Sequence, residues 1–514
     1  MAILNLGITS MNPIPLITGI LLLTYLVYAG RSYRRLSHIP GPTLASLSYL
    51  YLLRVARSGR QWQVFRALPS QYNSSLVRVG PNELSTSDPE VLRKINGARS
   101  TYERDPWYLA ARFDPHHDNV FTLLRAGPHD RFKARIAGAY GGRETPALEP
   151  GIDLQIRALV DLLQRRCACD DGPPSSEKGA KSFTLVEFAE LSSYFSMDVI
   201  TKAAFGEEFG YLKTDSDIYG FLAGVRETWP ALAVALDWPA LRAVLFSKPY
   251  LRWFGAKTTD VGGLGKLMGV AEEVVAKRFS AHAEQQKDML GSFISHGLTE
   301  QECATEALFM IIAGFENTST VIRQTMLYLM STPTVYEKFK DVIRETIRDG
   351  KASWPIKYEE ARRLPYLQAI IYEGLRMRPP APGLYPKSVP PEGDEINGMF
   401  IPGGTAIGMN TGAIMQSTEL FGSDAELFRP ERFMEVDEVT RAEMERNVEL
   451  VFGHGRWMCA GKPVAFMELF KVFFELMRAF DFQLANPMKP WDSRSYSQFI
   501  DENMWVRVSR AVAV

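Results

Sequence analysis

A glycine-rich loop around one cysteine constrains this chain more than any other feature. Residues 452–461 read FGHGRWMCAG, and an amphipathic helical pattern (VAFMELFKVFFELMRAF) follows. Glycines let a backbone wrap closely around a sulfur and direct N–H groups at it. A cysteine near a helix N-terminus, with Arg456 three residues earlier, is expected to have a lowered pKa and to bind a metal. The order Phe-Gly-x-Gly-Arg-x-x-Cys-x-Gly arises by chance on the order of once in a hundred thousand such chains, so we interpret Cys459 as a metal ligand rather than an inert thiol.

This loop resembles the cysteine-ligand loop of the cytochrome P-450 family of haem-thiolate monooxygenases, and the resemblance extends over about residues 38–510. It implies a mainly α fold with small β-sheets, arranged as a triangular helical prism around haem b. It also implies that Cys459 is the axial thiolate of the haem iron, that Arg456 pairs with a propionate and that Phe452 contacts the cofactor. Thiolate ligation pushes electron density to the iron and favours O–O cleavage.

A second motif of the family is an acid and an arginine three residues apart, which meet on one helix face. Glu373 and Arg376 have this spacing, just before the prolines at 379 and 380. As an isolated surface pair they would be uninformative, but the family completes a buried network with an arginine near Pro-x-Arg-Phe. Residues 428–433 read FRPERF, so the resemblance implies that Arg432 is the third member. A shared network explains why buried charge is tolerated.

Further basic residues resemble those that hold the haem propionates in the family. Lys387, in the segment PKSVP, stands where arginine is usual. Lysine neutralises a propionate as a point charge but cannot form the bidentate fork of arginine. His129 and Lys133, in HDRFK, resemble the helix that contacts the other propionate. A solvated basic helix face remains the alternative reading of this second pair.

Residues Thr299–Met330 are predicted to form one long helix, because a capping box (TEQE) precedes an apolar pattern of three- and four-residue spacing. Its middle resembles the oxygen-activating helix of the family, in which Glu316 matches the acid. Asn317 stands where threonine is usual, and Thr318 follows. That alcohol helps to deliver protons during oxygen activation, and asparagine can still donate and hold a water. The other reading is a locally bent helix with hydrogen-bonded side chains.

Elsewhere the patterns also predict helices with a few short strands. Helical periodicity marks Ile152–Arg166 and Ala271–Gln286. The strand-like runs are Ser75–Val79, Glu83–Thr86, Met399–Ile401, Ala406–Met409 and Met504–Val508. We expect a substrate pocket with apolar walls from the long helix, the proline turn and an early loop, namely Phe309, Ala313, Phe315, Pro382–Leu384, Trp107 and Phe113.

The amino end has the composition of a membrane anchor. The first thirty residues carry no Lys, Arg, Asp or Glu, and the uncharged stretch from Ile14 to Gly30 is close to the roughly 17-residue lower limit for a span. Arg31, Arg34 and Arg35 follow it, so the positive-inside rule places the rest of the chain in the cytosol. The alternative is a cleaved signal peptide.

Three regions follow from this arrangement. Residues 1–30 are expected to be a membrane anchor with one transmembrane helix. Residues 31–45 are expected to be a basic hinge, because Pro40 and Pro42 around a glycine prevent a helix from continuing. Residues 46–514 are expected to be the haem-thiolate catalytic domain. The predicted location is the endoplasmic reticulum membrane, with a single pass and a cytosolic catalytic domain.

Composition narrows the partners and the compartment. Lys and Arg number 58 against 59 Asp and Glu, a formal charge of −1, so no basic field exists to hold nucleic acid and we expect no such partner. Four cysteines in 514 residues are too few for a disulfide framework, which agrees with a reducing, cytosol-facing location.

The resemblance therefore predicts a monooxygenase that uses dioxygen, an apolar small-molecule substrate, and electrons from NADPH through a flavoprotein reductase. Residues 78–89 (RVGPNELSTSDP) and 129–142 resemble filamentous-fungal microsomal members near the pisatin-demethylase-like group, most of which oxidise secondary metabolites. Two alternatives stay open. One is a haem-thiolate isomerase or dehydratase that needs no external electrons, which Asn317 supports. The other is a non-catalytic haem binder, or a structural membrane protein with decayed chemistry, which the intact cysteine loop and the acid on the long helix oppose.

Overall fold

The fold is mainly α-helical with small sheets, as predicted, and the described residues form four of these sheets. A computed structural model describes residues 13–169, 183–281 and 284–511. In these residues helices α1–α22 are, in order, Pro13–Arg35, Thr43–Leu47, Leu50–Ser58, Gln61–Tyr72, Pro89–Asn96, Ala126–Ile136, Leu148–Cys169, Phe188–Phe205, Tyr211–Thr214, Phe221–Asp237, Pro239–Leu245, Lys248–Phe254, Gly263–Arg278, Met289–Ser295, Glu300–Ser331, Pro333–Arg348, Tyr358–Ala361, Pro365–Met377, Thr411–Met415, Thr418–Phe421, Glu438–Val448 and Lys462–Ala479.

Strands β1–β12 are Leu76–Arg78, Glu83–Thr86, Glu103–Arg104, Thr184–Glu187, Lys387–Ser388, Asp394–Ile396, Met399–Ile401, Ala406–Met409, Phe480–Leu484, Asp492–Ser495, Phe499–Glu502 and Trp505–Arg510. The largest described sheet has the order β1-β2-β8-β5-β3. Its β3–β5 pair is antiparallel and places Arg104 opposite Lys387. Two cations that are 283 positions apart in sequence are thereby brought to one sheet edge.

The long helix α15 crosses the core. The predicted capping box is present: Thr299 accepts from the Glu302 N–H at 3.3 Å, and the Glu302 carboxylate accepts from the Thr299 N–H at 2.9 Å. Gly314 in its middle allows close packing against α8, since a Cβ there would lie 2.7 Å from Ile200 Cγ1. The absence of a side chain at this position therefore fixes the spacing of the two central helices.

One helix prediction was shifted along the chain. The pattern placed a helix at Ala271–Gln286, whereas α13 spans Gly263–Arg278. The reason is Asp288, which caps α14 by accepting from the Gly291 N–H and also binds Arg278 at 2.7 Å. The chain must turn between these two residues, so the helix ends early.

The amino-terminal helix α1 docks onto the body at its carboxyl end. Ser32 donates to the Pro81 carbonyl, and Arg35 donates to the Asn82 side chain, both at 2.5 Å. Of the helices in the described part of the chain, none has the length and apolarity needed to cross a membrane. Residues 1–12 of the predicted anchor lie outside the described residues.

Candidate active site

An internal cavity of about 400 Å³ lies between the cysteine loop and helices α10 and α15. Most of its walls are apolar or aromatic. Those on the side of the early loop and α15 are Trp107, Tyr108, Ala110, Phe113, Val120, Phe121, Phe309 and Ala313. Cys459 and its neighbours form another wall. A largely apolar cavity with a few polar groups is the usual form of a small-molecule site.

The cysteine loop presents Cys459 to this cavity. The Cys459 N–H donates to the Phe452 carbonyl at 2.7 Å, which closes the loop. Gly455, at φ +55°, passes so close to residues 96–98 that a Cβ would lie 2.5 Å from the Asn96 carbonyl oxygen. The Cys459 side chain lies inside the protein, and its accessible surface faces the cavity that it lines. The sulfur is thus open to a ligand within the protein interior.

The expectation of a lowered thiol pKa is wrong for this structure. Burial raises the pKa of Cys459 above its ordinary value, and the N–H of Gly461, the Lys133 ammonium and the N–H of Lys462 offset this only in part. Desolvation disfavours the thiolate more strongly than the helix terminus favours it. A bound cation at the sulfur would reverse this balance, because metal coordination deprotonates a thiol.

Three cations line the cavity beside the cysteine loop: Arg104, Lys133 and Lys387. Arg104 lies over the Trp457 ring at 4.6 Å, and Lys387 lies 5.7 Å from the same ring. Burial lowers the pKa of Lys387 well below its ordinary value, and the nearby Arg104 lowers it further. Burial likewise lowers the pKa of Arg104 to about 10. Burial thus disfavours the cationic forms of these side chains, and an anionic ligand that pairs with them would offset this cost.

These residues fit a haem. Arg104 Nε and the Trp457 indole N–H are buried donors without a partner among the described residues. A porphyrin that carries two propionates would supply acceptors for both donors and countercharge for the cations. Its apolar ring matches the aromatic walls, and Cys459 provides the soft sulfur ligand suited to iron. Lys387 now donates to the Tyr108 hydroxyl at 2.7 Å.

The other residues expected at the cofactor are placed differently. Arg456 donates to the carbonyls of Ala98 and Ser100 and pairs with Asp130 at 2.9 Å, and it is not among the cavity-lining residues. These contacts hold the loop from outside. Trp457, the next residue, lines the cavity instead.

His129 and Phe452 both line the cavity, together with Lys133. The His129 ring lies 4.4 Å from the Trp457 ring. Burial and the charge of Arg104 lower the pKa of His129 to about 4. Lys133 is held by the carbonyls of Arg456 and Met458 at 2.9 and 2.6 Å. His129 thus contributes a neutral ring, and the charge in this pair comes from Lys133.

The polar cluster of α15 is divided between two sides of the helix. Asn317 and Thr318 line the cavity, whereas Glu316 does not. Glu316 forms an ion pair with Arg323 and borders a second, small cavity. The Asn317 amide donates to the Ala313 carbonyl at 2.9 Å, and its Oδ1 is buried without a partner in the described residues. An acceptor is therefore free where the family usually has a hydroxyl.

The acid–arginine motif forms a buried network. Glu373 Oε2 accepts from Arg376 Nε at 2.7 Å, and Glu373 Oε1 accepts from Arg432 Nε at 3.0 Å. All three residues are at most 1% exposed. Other guanidinium donors bind carbonyls, including those of Met415 and Phe421, and Arg432 also donates to Asp424 Oδ1. The network ties α18 to the turn before the cysteine loop, as the sequence spacing suggested.

A second buried network was not predicted. Asp501 binds Arg323 at 3.0 Å and Arg378 at 2.8 Å, and Arg323 also pairs with Glu316. Burial alone would raise the pKa of Asp501, but Arg378 and Arg323 lower it to about 2. Arg378 was overlooked because it follows the recognised motif directly. Its position directly before the proline turn was the one sequence signal that could have indicated a buried role for Arg378.

Of the expected pocket walls, Phe309, Ala313, Trp107 and Phe113 line the cavity, whereas Phe315 and Pro382–Leu384 do not. Phe315 is 1% exposed and packs against Phe221, because it lies on the face of α15 that contacts α10. From the proline turn, the lining residues are Pro380, Ala381 and Tyr385.

The sequence analysis also missed Arg104 and Trp457. Arg104 reaches the cavity through the β3–β5 pairing, which leaves no local pattern in sequence. Trp457 stands within the recognised motif, at a position that the motif leaves variable.

A cysteine that opens into an apolar cavity edged by unneutralised cations is the arrangement of a haem-thiolate protein. Comparison with known families agrees: the family model for cytochrome P-450 matches residues 40–502. The chain belongs to the cytochrome P-450 family.

Relatives support the enzyme class. The chain is 52% identical to cytochrome P-450 monooxygenase aba1 of Botryotinia fuckeliana over 93% of this chain and 92% of the relative. It is 48% identical to monooxygenase abl1 of Leptosphaeria maculans, over 91% and 82%, and 44% identical to monooxygenase ABA1 of Pyricularia oryzae, over 93% of each. The prediction of a haem-thiolate monooxygenase of fungal type is confirmed at this level.

Proposed function

We propose that this protein is a membrane-anchored monooxygenase that inserts one atom of dioxygen into an apolar small molecule, with Cys459 as the axial ligand of haem b. The observation that carries the proposal is the joint presence of Cys459, three cations and aromatic walls around one cavity. When bound there, haem supplies the activation of dioxygen. The protein supplies binding, orientation and protons.

Individual roles follow from the contacts. Arg104, Lys133, Lys387 and the Trp457 N–H would hold the propionates. The free Asn317 Oδ1 would hold a water or hydroxyl proton near the reacting group, with Thr318 beside it. Glu316 would exchange protons from the opposite side of the helix, where it pairs with Arg323. Glu373, Arg376 and Arg432 would hold the framework of the cysteine loop.

The surface supports association with a membrane. Apolar side chains of α1 are exposed, including Leu16 at 66% and Leu23 at 63%. In α12, Trp253 and Phe254 are 73% and 75% exposed. Such apolar surface on a soluble face would be costly in water. We place residues 1–30 in the endoplasmic reticulum membrane, residues 31–45 at a hinge, and residues 46–514 in a catalytic domain on the cytosolic side.

Electrons would come from NADPH through a flavoprotein reductase, as membership of the cytochrome P-450 family suggests. The printed names of the fungal relatives call them monooxygenases. The resemblance to fungal members of the family extends the proposal to the substrate, which would be an intermediate of fungal secondary metabolism.

The test is product mass after microsomes with reductase receive NADPH, heavy-isotope dioxygen and a metabolite extract of the source organism. We expect a new product that carries one heavy oxygen and that is absent with Cys459→Ser. A Cys459-dependent product formed without label or NADPH would instead establish an isomerase or dehydratase. The thiolate-type spectrum of the reduced carbonyl complex checks haem ligation separately.

A further inference from the structure

We propose that the turn between β10 and β11, together with Trp229 of α10, is a polar subsite for a neutral hydrogen-bonding group on an otherwise apolar substrate. The turn contributes Ser497 and Gln498. All three side chains line the large cavity. The group would be a ketone, hydroxyl or ether rather than a carboxylate. This inference rests on the proposed function, since it takes the cavity as the substrate site.

The three side chains share one property, which is the lack of a partner. The Trp229 indole N–H is buried and unpaired within the described residues. The carbonyl of Ser497 accepts from the Tyr385 hydroxyl at 3.2 Å, and the carbonyl of Gln498 accepts from the Tyr496 N–H at 2.8 Å. Both backbone carbonyls thus accept hydrogen bonds. In the described part of the chain, the Ser497 hydroxyl and the Gln498 side-chain amide have no hydrogen bond. Polar side chains in an apolar cavity normally find a partner.

The surrounding structure holds the subsite in place. Tyr496 and Ile500, which flank the turn, are 4% and 5% exposed and pack with Ala233 and Trp229 in one apolar cluster. Gly383 fits tightly against the turn, since a Cβ there would lie 2.9 Å from Ser497 Cβ. The polar groups are therefore preorganised, so little conformational entropy is lost when a ligand group pairs with them.

The charges around the turn are already balanced. Gln498 and Trp229 also border the small cavity of about 20 Å³. Two arginines line that cavity: Arg323, which binds Glu316 and Asp501, and Arg226, which binds Glu190 at 2.9 Å. No free cation faces the turn among the residues that the structure describes there. A carboxylate would lose its hydration without gaining countercharge, so the subsite favours a neutral group.

The same unpaired groups would let the site distinguish a ligand that has a hydrogen-bonding group from a purely apolar ligand. A purely apolar ligand that covered the turn would leave its donors unsatisfied, whereas a ligand with an acceptor would pair with them. A neutral hydrogen bond is worth about 0.5–1.5 kcal/mol, which corresponds to roughly a twofold to tenfold difference in affinity. The subsite would also orient the substrate, because the polar group fixes which carbon of the apolar body lies beside Cys459.

The test compares matched ligands on the haem-loaded full-length protein. Each set has one carbon skeleton: cyclohexylbenzene, 4-phenylcyclohexanone and 4-phenylcyclohexanecarboxylate, and decalin, 2-decalone and decalin-2-carboxylate. Dissociation constants are measured by equilibrium dialysis without reductase or NADPH. We expect the ketone to bind about fivefold more tightly than the hydrocarbon in at least one set, and the carboxylate to bind more weakly than the ketone.

Variants connect this preference to the turn. In Ser497→Ala/Gln498→Leu and in Trp229→Phe, the ratio of ketone to hydrocarbon affinity should fall toward one while hydrocarbon affinity is kept. Gln483→Leu makes the same chemical change at an exposed position of β9 and should leave the ratio unchanged. A carboxylate that binds most tightly, the absence of any ketone preference, or a preference that survives in the variants would overturn the proposal. Labelled product formation tests the monooxygenase reading independently of these outcomes.

Discussion

Two buried ionic networks among the described residues bring opposite charges together. Arg376 and Arg432 share Glu373, and Asp424 binds Arg432 at 2.8 Å. Arg323 and Arg378 are likewise matched by Asp501 and Glu316. The three cations that line the large cavity, by contrast, form no ion pair with a carboxylate of the described residues. Unpaired buried charge is costly, so its location indicates where the protein receives an anionic partner.

Removing the charge of Glu373 should destabilise the whole protein. Glu373→Gln replaces the carboxylate that two fully buried arginines share with a neutral amide, and breaking a buried pair in this way costs about 3–5 kcal/mol. Urea unfolding of the haem-loaded protein measures the change. Glu392→Gln alters an exposed carboxylate and should cost less than about 0.5 kcal/mol. Equal losses in the two variants would contradict the structural role of Glu373.

The position of Asn317 predicts how efficiently electrons yield product. Asn317→Thr restores a hydroxyl on the cavity side of α15, so the ratio of product formed to NADPH consumed should stay equal or rise. Asn317→Ala, which removes both polar atoms, should lower the ratio. Complete loss of activity in Asn317→Thr would show that the amide has a specific role that a hydroxyl cannot fill.

At the scale of elements, a loop is fastened between α15 and β3. Glu306 of α15 accepts from the Val120 N–H at 2.8 Å, while Arg104 donates to the carbonyls of Val120 and Phe121 at 2.5 and 2.9 Å. Phe121 stacks on Phe309 one turn after Glu306. Glu306 and Arg104 thus hold this cavity-lining segment through its backbone. The side chains of the segment are not involved in these hydrogen bonds.

The ionisation of Glu306 should make stability depend on pH. Burial raises the pKa of Glu306 from 4.5 to about 7, although the Val120 N–H and Arg104 oppose the rise. The unfolded chain ionises first, so stability that is present below pH 4.5 is lost as the pH rises to about 7. Glu306→Gln keeps an acceptor for Val120 and avoids that loss. It should match the wild type at low pH and exceed its unfolding free energy by about 3 kcal/mol at pH 8.

Unfolding curves at several pH values provide the measurement. Glu300→Gln, an exposed change at the start of the same helix, should shift stability by less than about 1 kcal/mol at every pH. Hydrogen exchange at the Val120 amide adds a local readout: Glu306→Leu should accelerate it, and an unchanged rate would contradict the fastening contact.

Short-range motifs explain what the sequence predicted well. Cys459, Glu373 and the Thr299–Glu302 capping box are defined by spacings of a few residues within one element, so a linear pattern reveals them. Arg104 depends on strand pairing with a segment 283 positions away, and no local pattern encodes such a pairing. The motif also does not encode which side chains of the loop face the cavity, which is why Arg456 was expected at a propionate and Trp457 was overlooked.

At the scale of the whole molecule, the amino-terminal helix and the catalytic body are joined by few contacts. Ser32, Arg35 and the buried Arg78, which binds the Ser32 carbonyl at 3.0 Å, form that junction. These contacts lie after residue 30, and the preceding segment adds a hydrogen bond from the Tyr25 hydroxyl to the Leu47 carbonyl at 3.2 Å and one between Tyr28 and Tyr49.

Deletion of residues 2–30 should therefore preserve the catalytic fold and weaken membrane binding. Sedimentation with microsomal vesicles should leave most of the truncated protein in the supernatant, with its haem spectrum intact. Adding Trp253→Ser/Phe254→Ser to the truncated protein should release the remaining vesicle-bound protein, which α12 would hold at the membrane. Loss of haem on truncation, or unchanged sedimentation, would contradict this division of the chain.

The cations around the cavity also bear on how the enzyme matures in a cell. Arg104, Lys133 and Lys387 repel one another across an interior that water reaches poorly. A newly made chain carries this repulsion until it acquires its prosthetic group. Binding of an anionic prosthetic group would relieve this repulsion and stabilise the folded chain. In a cell short of iron or porphyrin, chains that wait in this state would be the ones exposed to proteolysis, so porphyrin supply would set how much enzyme accumulates.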